Sequence, residues 1–305
     1  MLPNVIILGA PKAGTTSTHM WLTDHPDVAG PKVKETEYFV DKNSHAYNPD
    51  SNYHNQGVAG YERFFESNGP SVPRVVMEAG PDYMYQQIAL QKLPELPNEP
   101  TFIFLLREPA SQIYSLFQYL QNNWQYLPNT MTFSEFIELA RVRSETLAHH
   151  ELLQNAIDNA RYLAHIEKWV ARVGQDRVRV YLFDDLKRDS QQYMQRLCAD
   201  LGLDPSFYDS YDFDKGNESY RIRSHALQKL NLAVRSKLPH WTLYNWARRV
   251  YRRLNTDPDS IQKSTEELET LRTLRLEFAA ANNALAERFQ LDLRDWQIGA
   301  LQDQL

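Results

Sequence analysis

Residues 9–16 read GAPKAGTT, preceded by the apolar run VIIL at 5–8 and followed by STHMWL at 17–22. A β-branched strand, a glycine-bounded turn and a helix-like segment in that order form the frame of a phosphate-binding loop. A triphosphate loop needs G-x-x-x-x-G-K-[ST]. Gly9 and Gly14 have the required spacing, but Thr15 stands where the lysine belongs, and a lysine lies inside the loop at Lys12. The stretch is therefore a damaged ATP site or a phosphate loop for another ligand. A helix N-terminus offers unpaired N–H groups and partial positive charge. Lys12 adds a mobile cation, Gly14 lets the backbone approach closely, and Thr15, Thr16 and Ser17 add hydroxyl donors. Residues 12–17, Ala13 among them, are the candidate phosphate contacts.

Three further apolar runs continue the pattern: VVM at 75–77, FIFLL at 102–106 and VRVYLF at 178–183. None alternates with polar residues, as expected of strands covered on both faces. Helical patterns fall at 15–24, 83–93, 109–122, 132–143, 155–172 and 189–201. Strands alternating with helices predict an α/β fold, a P-loop-like parallel β-sheet flanked by helices. Residues 43–73 are rich in Asn, Ser, Gly and Pro. They read as a loop, either a surface excursion or part of a substrate mouth. From about 224 the pattern is helical, in LQKLNLAVRSKL (227–238) and ELETLRTLRLEFAAANNALAERF (267–289), with the turn NTDPDS at 255–260 between. With no linker-like segment, residues 1–305 are expected to form a single domain with a helical C-terminal part.

Composition narrows the function. Thirty-three basic residues against 39 acidic ones give a net charge of −6, which argues against a nucleic-acid partner held by bulk attraction. The apolar runs are too short to span a membrane, and MLPNVIILGAPK lacks the features of a secretory leader. A single cysteine, Cys198 in QRLCADLGL, reads as a buried thiol and suits a reducing compartment, so a cytoplasmic location is expected.

A second phosphate contact is offered by FIFLLREPASQIYSLFQYL (102–120). Arg107 ends the strand, where an ATPase would place a magnesium-binding Asp, and a strand-end guanidinium presents a fork to a phosphate. Pro109 should open the next helix, which carries Ser115.

PKAGTTSTHMWL resembles the 5′-phosphosulfate loop of sulfotransferases that use 3′-phosphoadenosine 5′-phosphosulfate (PAPS). Arg107 and Ser115 match that family's 3′-phosphate motif, with Glu108 replacing its usual Asp or Asn. NESYRIRSHALQKL (217–230) resembles a further stretch of bacterial members through Asn217, Ser219, Arg223 and Ser224. The resemblance implies Arg223, or alternatively Arg221, as a 3′-phosphate contact. The tail LRDW (293–296) is also similar to these members.

The resemblance to the carbohydrate, Golgi-type enzymes implies the catalytic groups. VKETEYF (33–39) matches their K-E-x-x-[FHY]-F stretch. That implies Glu35 as general base, Lys12 as stabiliser of the bridging oxygen and Lys34 as its support. Glu37 is the alternative base. His45, His54, His149 and His150 sit in no recognisable motif and rank below Glu35. EAGPDYMY (78–85) resembles a stretch in which those enzymes carry a lysine, but Ala79 occupies that position here. Glu78 and Asp82 are either contacts to a hydroxyl-bearing acceptor or a strand end and helix cap.

The expected activity is PAPS-dependent O-sulfotransfer without a metal, leaving the product 3′-phosphoadenosine 5′-phosphate (PAP). The acceptor would be a small molecule, glycan, lipid or hydroxyacyl chain. The aromatics of 43–65 and 117–126, Tyr47, Tyr53, Phe64, Phe117, Tyr119, Trp124 and Tyr126, would suit sugar or acyl packing or an ordinary core. The alternative is a non-catalytic or kinase-like P-loop nucleotide-binding protein. A kinase would need a lysine after Gly14 and a magnesium-binding carboxylate after a strand.

Overall fold

The computed structural model describes residues 1–65, 72–213 and 263–297. Five strands, β1 (Val5–Gly9), β2 (Val28–Ala29), β3 (Val75–Ala79), β4 (Thr101–Leu106) and β5 (Val178–Leu182), form one sheet in the order β2-β3-β1-β4-β5. Every pairing is parallel. β1 is buried along its whole length, between β3 (Ile6 opposite Glu78) and β4 (Ile6 opposite Phe102). After β3 the chain crosses to the other side of β1. The loops that follow β3, β1 and β4 therefore emerge together at the C-terminal edge, at the topological switch point where such sheets bind ligands.

The helices within the first 213 residues are α1 (Thr15–Thr23), α2 (Tyr53–Glu62), α3 (Gln87–Lys92), α4 (Pro109–Asn122), α5 (Phe133–Arg141), α6 (Glu151–Gln154), α7 (Ala156–Asn159), α8 (Tyr162–Val173), α9 (Phe183–Arg188) and α10 (Ser190–Asp200). A long C-terminal helix, α11 (Thr265–Phe289), follows. Local chemistry sets several boundaries. Pro109 opens α4, Thr132 and Glu135 form a capping box at α5, and Ser264 and Glu267 form another at α11.

The α/β architecture, the parallel sheet and the helical C-terminal part match the expectation from sequence. The differences are local. β3 runs on to Ala79 and so takes Glu78 into the sheet. β5 stops at Leu182 because Phe183 opens α9. The pattern at 83–93 breaks into a 3₁₀ turn (Tyr83–Tyr85), α3 and a second 3₁₀ turn (Leu93–Glu95) that contains Pro94. The pattern at 155–172 divides into α7 and α8 around Ala160 and Arg161. Residues 43–65 are not merely a surface excursion, because they contain α2, capped by the buried Asn52, and bury Tyr61 and Phe65. The 227–238 pattern, the 255–260 turn and residues 217–224 lie outside the described residues.

Two apolar clusters fill the interior. One surrounds the sheet, with Ile7, Ile103 and Trp169 at its centre. The other joins α4, α5, α6 and α7 through Ile113, Phe117, Phe136 and Leu153. α11 belongs to both, placing Leu271, Leu274 and Phe278 in the helical cluster and Leu285 against the sheet cluster, where Leu293 and Trp296 follow. Phe117 is thus a core residue.

Candidate active site

The loop after β1 turns into α1 through Gly14, which caps the helix in a left-handed conformation (φ 88°, ψ 9°). A Cβ at Gly14 would lie 2.9 Å from Cδ2 of Phe183 and 3.3 Å from Cδ1 of Leu186. The glycine is therefore required by its own backbone angle and by the closeness of α9. Gly14, at the N-cap, has no side chain to cap the α1 N-terminus. Its first turn carries Thr15, Thr16 and Ser17, with Thr15 buried.

Lys12 is held in place. Its Nζ lies 3.9 Å above the ring of Tyr119, on α4 one turn beyond Ser115. Burial, then the charge of Arg107, brings its pKa down from 10.5 to about 8; Glu35 pulls it up and Lys34 pushes it down. The four candidate charges Lys12, Lys34, Glu35 and Arg107 thus share one electrostatic neighbourhood, although they come from three separate segments. Lys34 and Glu35 are in direct contact through Nζ and Oε1. Glu37 stands in a left-handed conformation (φ 52°), its carboxyl raised by burial and by the charge of Glu35.

Arg107 follows β4 directly. Its Nη1 donates to the Lys12 carbonyl at 3.2 Å, and its guanidinium stacks over Phe183 at 4.9 Å. Tyr162 donates from its hydroxyl to the Arg107 carbonyl at 3.0 Å. Trp296, from the LRDW tail, packs near Tyr162 and donates from Nε1 to Asp184 at 2.7 Å. The tail therefore braces the strand end that carries Arg107. Ser115 is buried on α4, and Gln112 on the same helix donates to the Pro11 carbonyl at 2.9 Å. Arg221 and Arg223 lie outside the described residues.

Glu108, the departure from the family's Asp or Asn, caps α4. It accepts from the Ala110 and Ser111 amides at 2.9 and 2.8 Å, and Arg275 of α11 faces it at 3.3 Å.

Of the two readings of Glu78, acceptor contact or strand end, its burial within β3 favours the strand end. Glu78 is 0% exposed and accepts from Thr36, Tyr61 and Tyr83. It is enclosed because β3 extends past Met77, so the side chain points into the layer beneath the 33–39 segment.

The four histidines fall in different surroundings. His149 is exposed and His54 lies near Tyr47, but His150 is buried and stacks on His45 at 3.7 Å. His45 Nδ1 is 3.5 Å from Glu151, and its Nε2 is 3.9 Å from Asp82. Burial lowers the His45 pKa, but the Glu151 hydrogen bond and the charges of Asp82, Glu151 and Glu37 together raise it. Burial pushes Asp82 up to about 7 against the pull of His45, with Glu35 among the charges that raise it further. Glu151 went unnoticed in the sequence. Its partners Ser44 and His45 lie more than a hundred residues away, and no local pattern links them. Beside this cluster Tyr126 approaches His150 edge-on at 5.1 Å, and Trp124 and Tyr126 lie nearly parallel and partly exposed.

This arrangement can hold anionic groups between the α1 N-terminus, Lys12 and Arg107, with carboxylates alongside to take a proton. The model of the sulfotransferase family matches residues 3–209. The chain is 23% identical over 210 residues to the bifunctional heparan sulfate N-deacetylase/N-sulfotransferase 4 of Mus musculus. It is 25% identical over 211 residues to the human enzyme 3 of the same name. Each match takes in 68% of this chain but only 23% of the relative, so the chain spans less than a quarter of the length of these proteins. A sulfotransferase of Alicyclobacillus acidocaldarius shares the fold with a TM-score of 0.67 at 21% identity, covering 97% of this chain and 99% of that one. With the family match taking in the phosphate loop, the strand-end arginine and the sheet that sets them side by side, this chain belongs to the sulfotransferase family.

Proposed function

We propose that this protein transfers a sulfuryl group from PAPS to a hydroxyl of a neutral acceptor, a sugar, a lipid or a hydroxyacyl group. The observation that carries the reading is the convergence of Lys12, Arg107 and the Lys34–Glu35 pair at the loop after β1. The donor set fits a nucleotide with phosphates at both ends of its ribose. The α1 N-terminus, Lys12 and the hydroxyls of Thr15, Thr16 and Ser17 serve the 5′ end. Arg107 and Ser115 serve the 3′-phosphate, joined by Arg223. PAPS supplies an activated sulfonate. Glu35 takes the acceptor proton, and Lys12, supported by Lys34, neutralises the charge that develops on the bridging oxygen. The reading assigns no role to a metal, since Arg107 stands where a magnesium-binding carboxylate would be.

The relatives are named for heparan sulfate, a polyanion, but two features favour a neutral acceptor here. Ala79 is buried within β3 at the position of their lysine. Glu37, Asp82 and Glu151 surround His45, with Glu35 acting on Asp82, and the ionised members of this group disfavour an anionic chain. Trp124 and Tyr126 offer ring faces for sugar or acyl packing. The single, buried Cys198 agrees with the reducing cytoplasm. Among the described residues no helix is long and apolar enough to cross a membrane.

Thermal shift with PAP, against AMP and against ADP with Mg²⁺, tests the nucleotide. PAP without metal should raise the melting temperature most, and Lys12→Met or Arg107→Met should abolish the rise. PAPS turnover on a panel of 4-nitrophenyl glycosides, dodecanol, a 3-hydroxyacyl thioester and N-deacetylated heparosan then ranks acceptors. Glu35→Gln should slow turnover about 100-fold or more. A larger shift with ADP and Mg²⁺ would return the site to the kinase-like class. PAP binding without turnover on any acceptor would make it a non-catalytic binder.

A further inference from the structure

We infer that Glu78 is a positioning residue for sulfuryl transfer, setting the Lys34–Glu35 pair against Lys12; this rests on the roles proposed above for those residues. A carboxylate in the middle of a sheet needs a reason. β3 reads VVMEA, all five residues are buried, and Glu78 pairs across to Ile6 of β1, the strand that carries the phosphate loop. A group of this kind is tolerated only where donors satisfy it.

The donors come from three segments, and all of them tie Glu78 to residues 36–39 or pack beside them. Glu78 Oε1 accepts from the Thr36 amide at 3.3 Å, from the Thr36 hydroxyl and from the Tyr83 hydroxyl at 3.0 Å, and Oε2 accepts from the Tyr61 hydroxyl. The Tyr83 oxygen in turn accepts from the Tyr38 amide at 3.0 Å and the Phe39 amide at 3.4 Å. The backbone amides of residues 36, 38 and 39 therefore all end on Glu78 or on the phenol it holds. Thr36 is buried, whereas Glu35 beside it is exposed. The segment has no helix or strand of its own to fix it. What fixes it is a side chain rooted in the same sheet as the phosphate loop, so the two carry a common reference frame. Displacements of about 1 Å at reacting groups can cost on the order of 100-fold in rate, which is the scale at which such an anchor acts.

The test needs no acceptor to be known. Hydrogen exchange reads the anchoring of residues 33–40. PAP affinity reads the integrity of the phosphate loop. Single-turnover conversion of bound PAPS to PAP, with water as the acceptor, reads positioning: the water oxygen bonds to sulfur, the sulfur–oxygen bond to PAP breaks, and the proton passes to Glu35. Glu78→Ala should release the protection of 33–40 and slow conversion ~10- to ~100-fold, while PAP affinity stays within about threefold. Glu78→Gln keeps an acceptor for Thr36 and Tyr83 and should restore protection and most of the rate. In a Glu35→Gln background Glu78→Ala should slow conversion little further. If Glu78→Ala does not fold, Thr36→Val, which removes one donor and keeps the side-chain shape, carries the same comparison.

Unchanged protection in Glu78→Ala would overturn the anchor. Lost protection with an unchanged rate would leave Glu78 a purely structural group. PAP affinity falling in step with the rate would also overturn the proposal. A silent Glu35→Gln beside a slow Glu78→Ala would instead retire Glu35 as the base, leaving Lys34 as the group that Glu78 positions.

Discussion

Lys12 sits between opposing demands. Burial and the neighbouring Arg107 disfavour its charge and bring its pKa to about 8, yet binding a phosphate requires that charge. The sign of the pH effect follows. A bound anion stabilises the ammonium and raises its pKa back toward the ordinary 10.5. Between those values the complex holds a proton that the free protein has lost. PAP binding should therefore take up a proton above pH 8, and affinity should fall as pH rises, by at most about tenfold per unit. Titration calorimetry at pH 7 to 9.5, in two buffers of different ionisation heat, measures both quantities. Lys12→Arg keeps its charge throughout and should flatten the profile, though its planar head cannot reproduce the point charge. Lys12→Met should bind weakly at every pH and take up no proton through this group. A wild-type profile flat across this range would show that the cation is not used in binding.

At the scale of elements, α4 shows how one residue change is absorbed. Glu108 has a longer side chain than the Asp or Asn of the motif it resembles, yet it caps two amides and also reaches Arg275 on α11. The pair is nearly buried, at 9% and 11% exposure, so its loss removes a cap and an ion pair together. Glu108→Ala should cost roughly 2–4 kcal/mol in urea unfolding, and Glu108→Asp, which caps but falls short of Arg275, about half of that. A loss below about 0.5 kcal/mol would show that neither contact matters. Much of this layer was legible in sequence because its signals are local. Apolar runs without alternation marked four strands, and Pro109 marked the start of α4. The signals that failed were non-local. β2 is two residues long and forms only by pairing with β3. Glu78 could be read as a strand-end polar residue, but its partners could not, because they come from residues 36, 61 and 83. The His45–Glu151 pair joins segments that only the tertiary fold brings together. The strand, turn and helix around residues 5–23 and the strand end at Arg107 could be read ahead of the structure because their signals are local. The surroundings of Glu35 could not, since three segments meet there.

For the molecule as a whole, the question is whether two apolar clusters make one cooperative unit. The sheet cluster and the helical cluster are distinct in their packing, and a chain of this length can divide into separately unfolding parts. α11 argues against division. Through Phe278 it buries Leu271, Leu274 and Phe278 in the helical cluster, and further on it brings Leu285 against the sheet, where Leu293 and Trp296 follow after the helix. A rigid helix cannot leave one cluster and stay seated in the other, and the Glu108–Arg275 pair adds a link at the strand end that carries the site. The expectation is a single domain with one transition. Leu274→Ala and Ile103→Ala, each at a fully buried position, remove volume from different clusters and should each cost about 2–5 kcal/mol. Both should move the same urea midpoint with an unchanged slope, whether followed by tryptophan fluorescence, to which the sheet-packed Trp169 contributes, or by far-ultraviolet circular dichroism. Their effects should add in the double variant, because they share no contact. If Leu274→Ala instead splits the dichroism curve while fluorescence keeps its midpoint, the helical cluster unfolds alone. The C-terminal helix would then be a lid on an independently stable sheet.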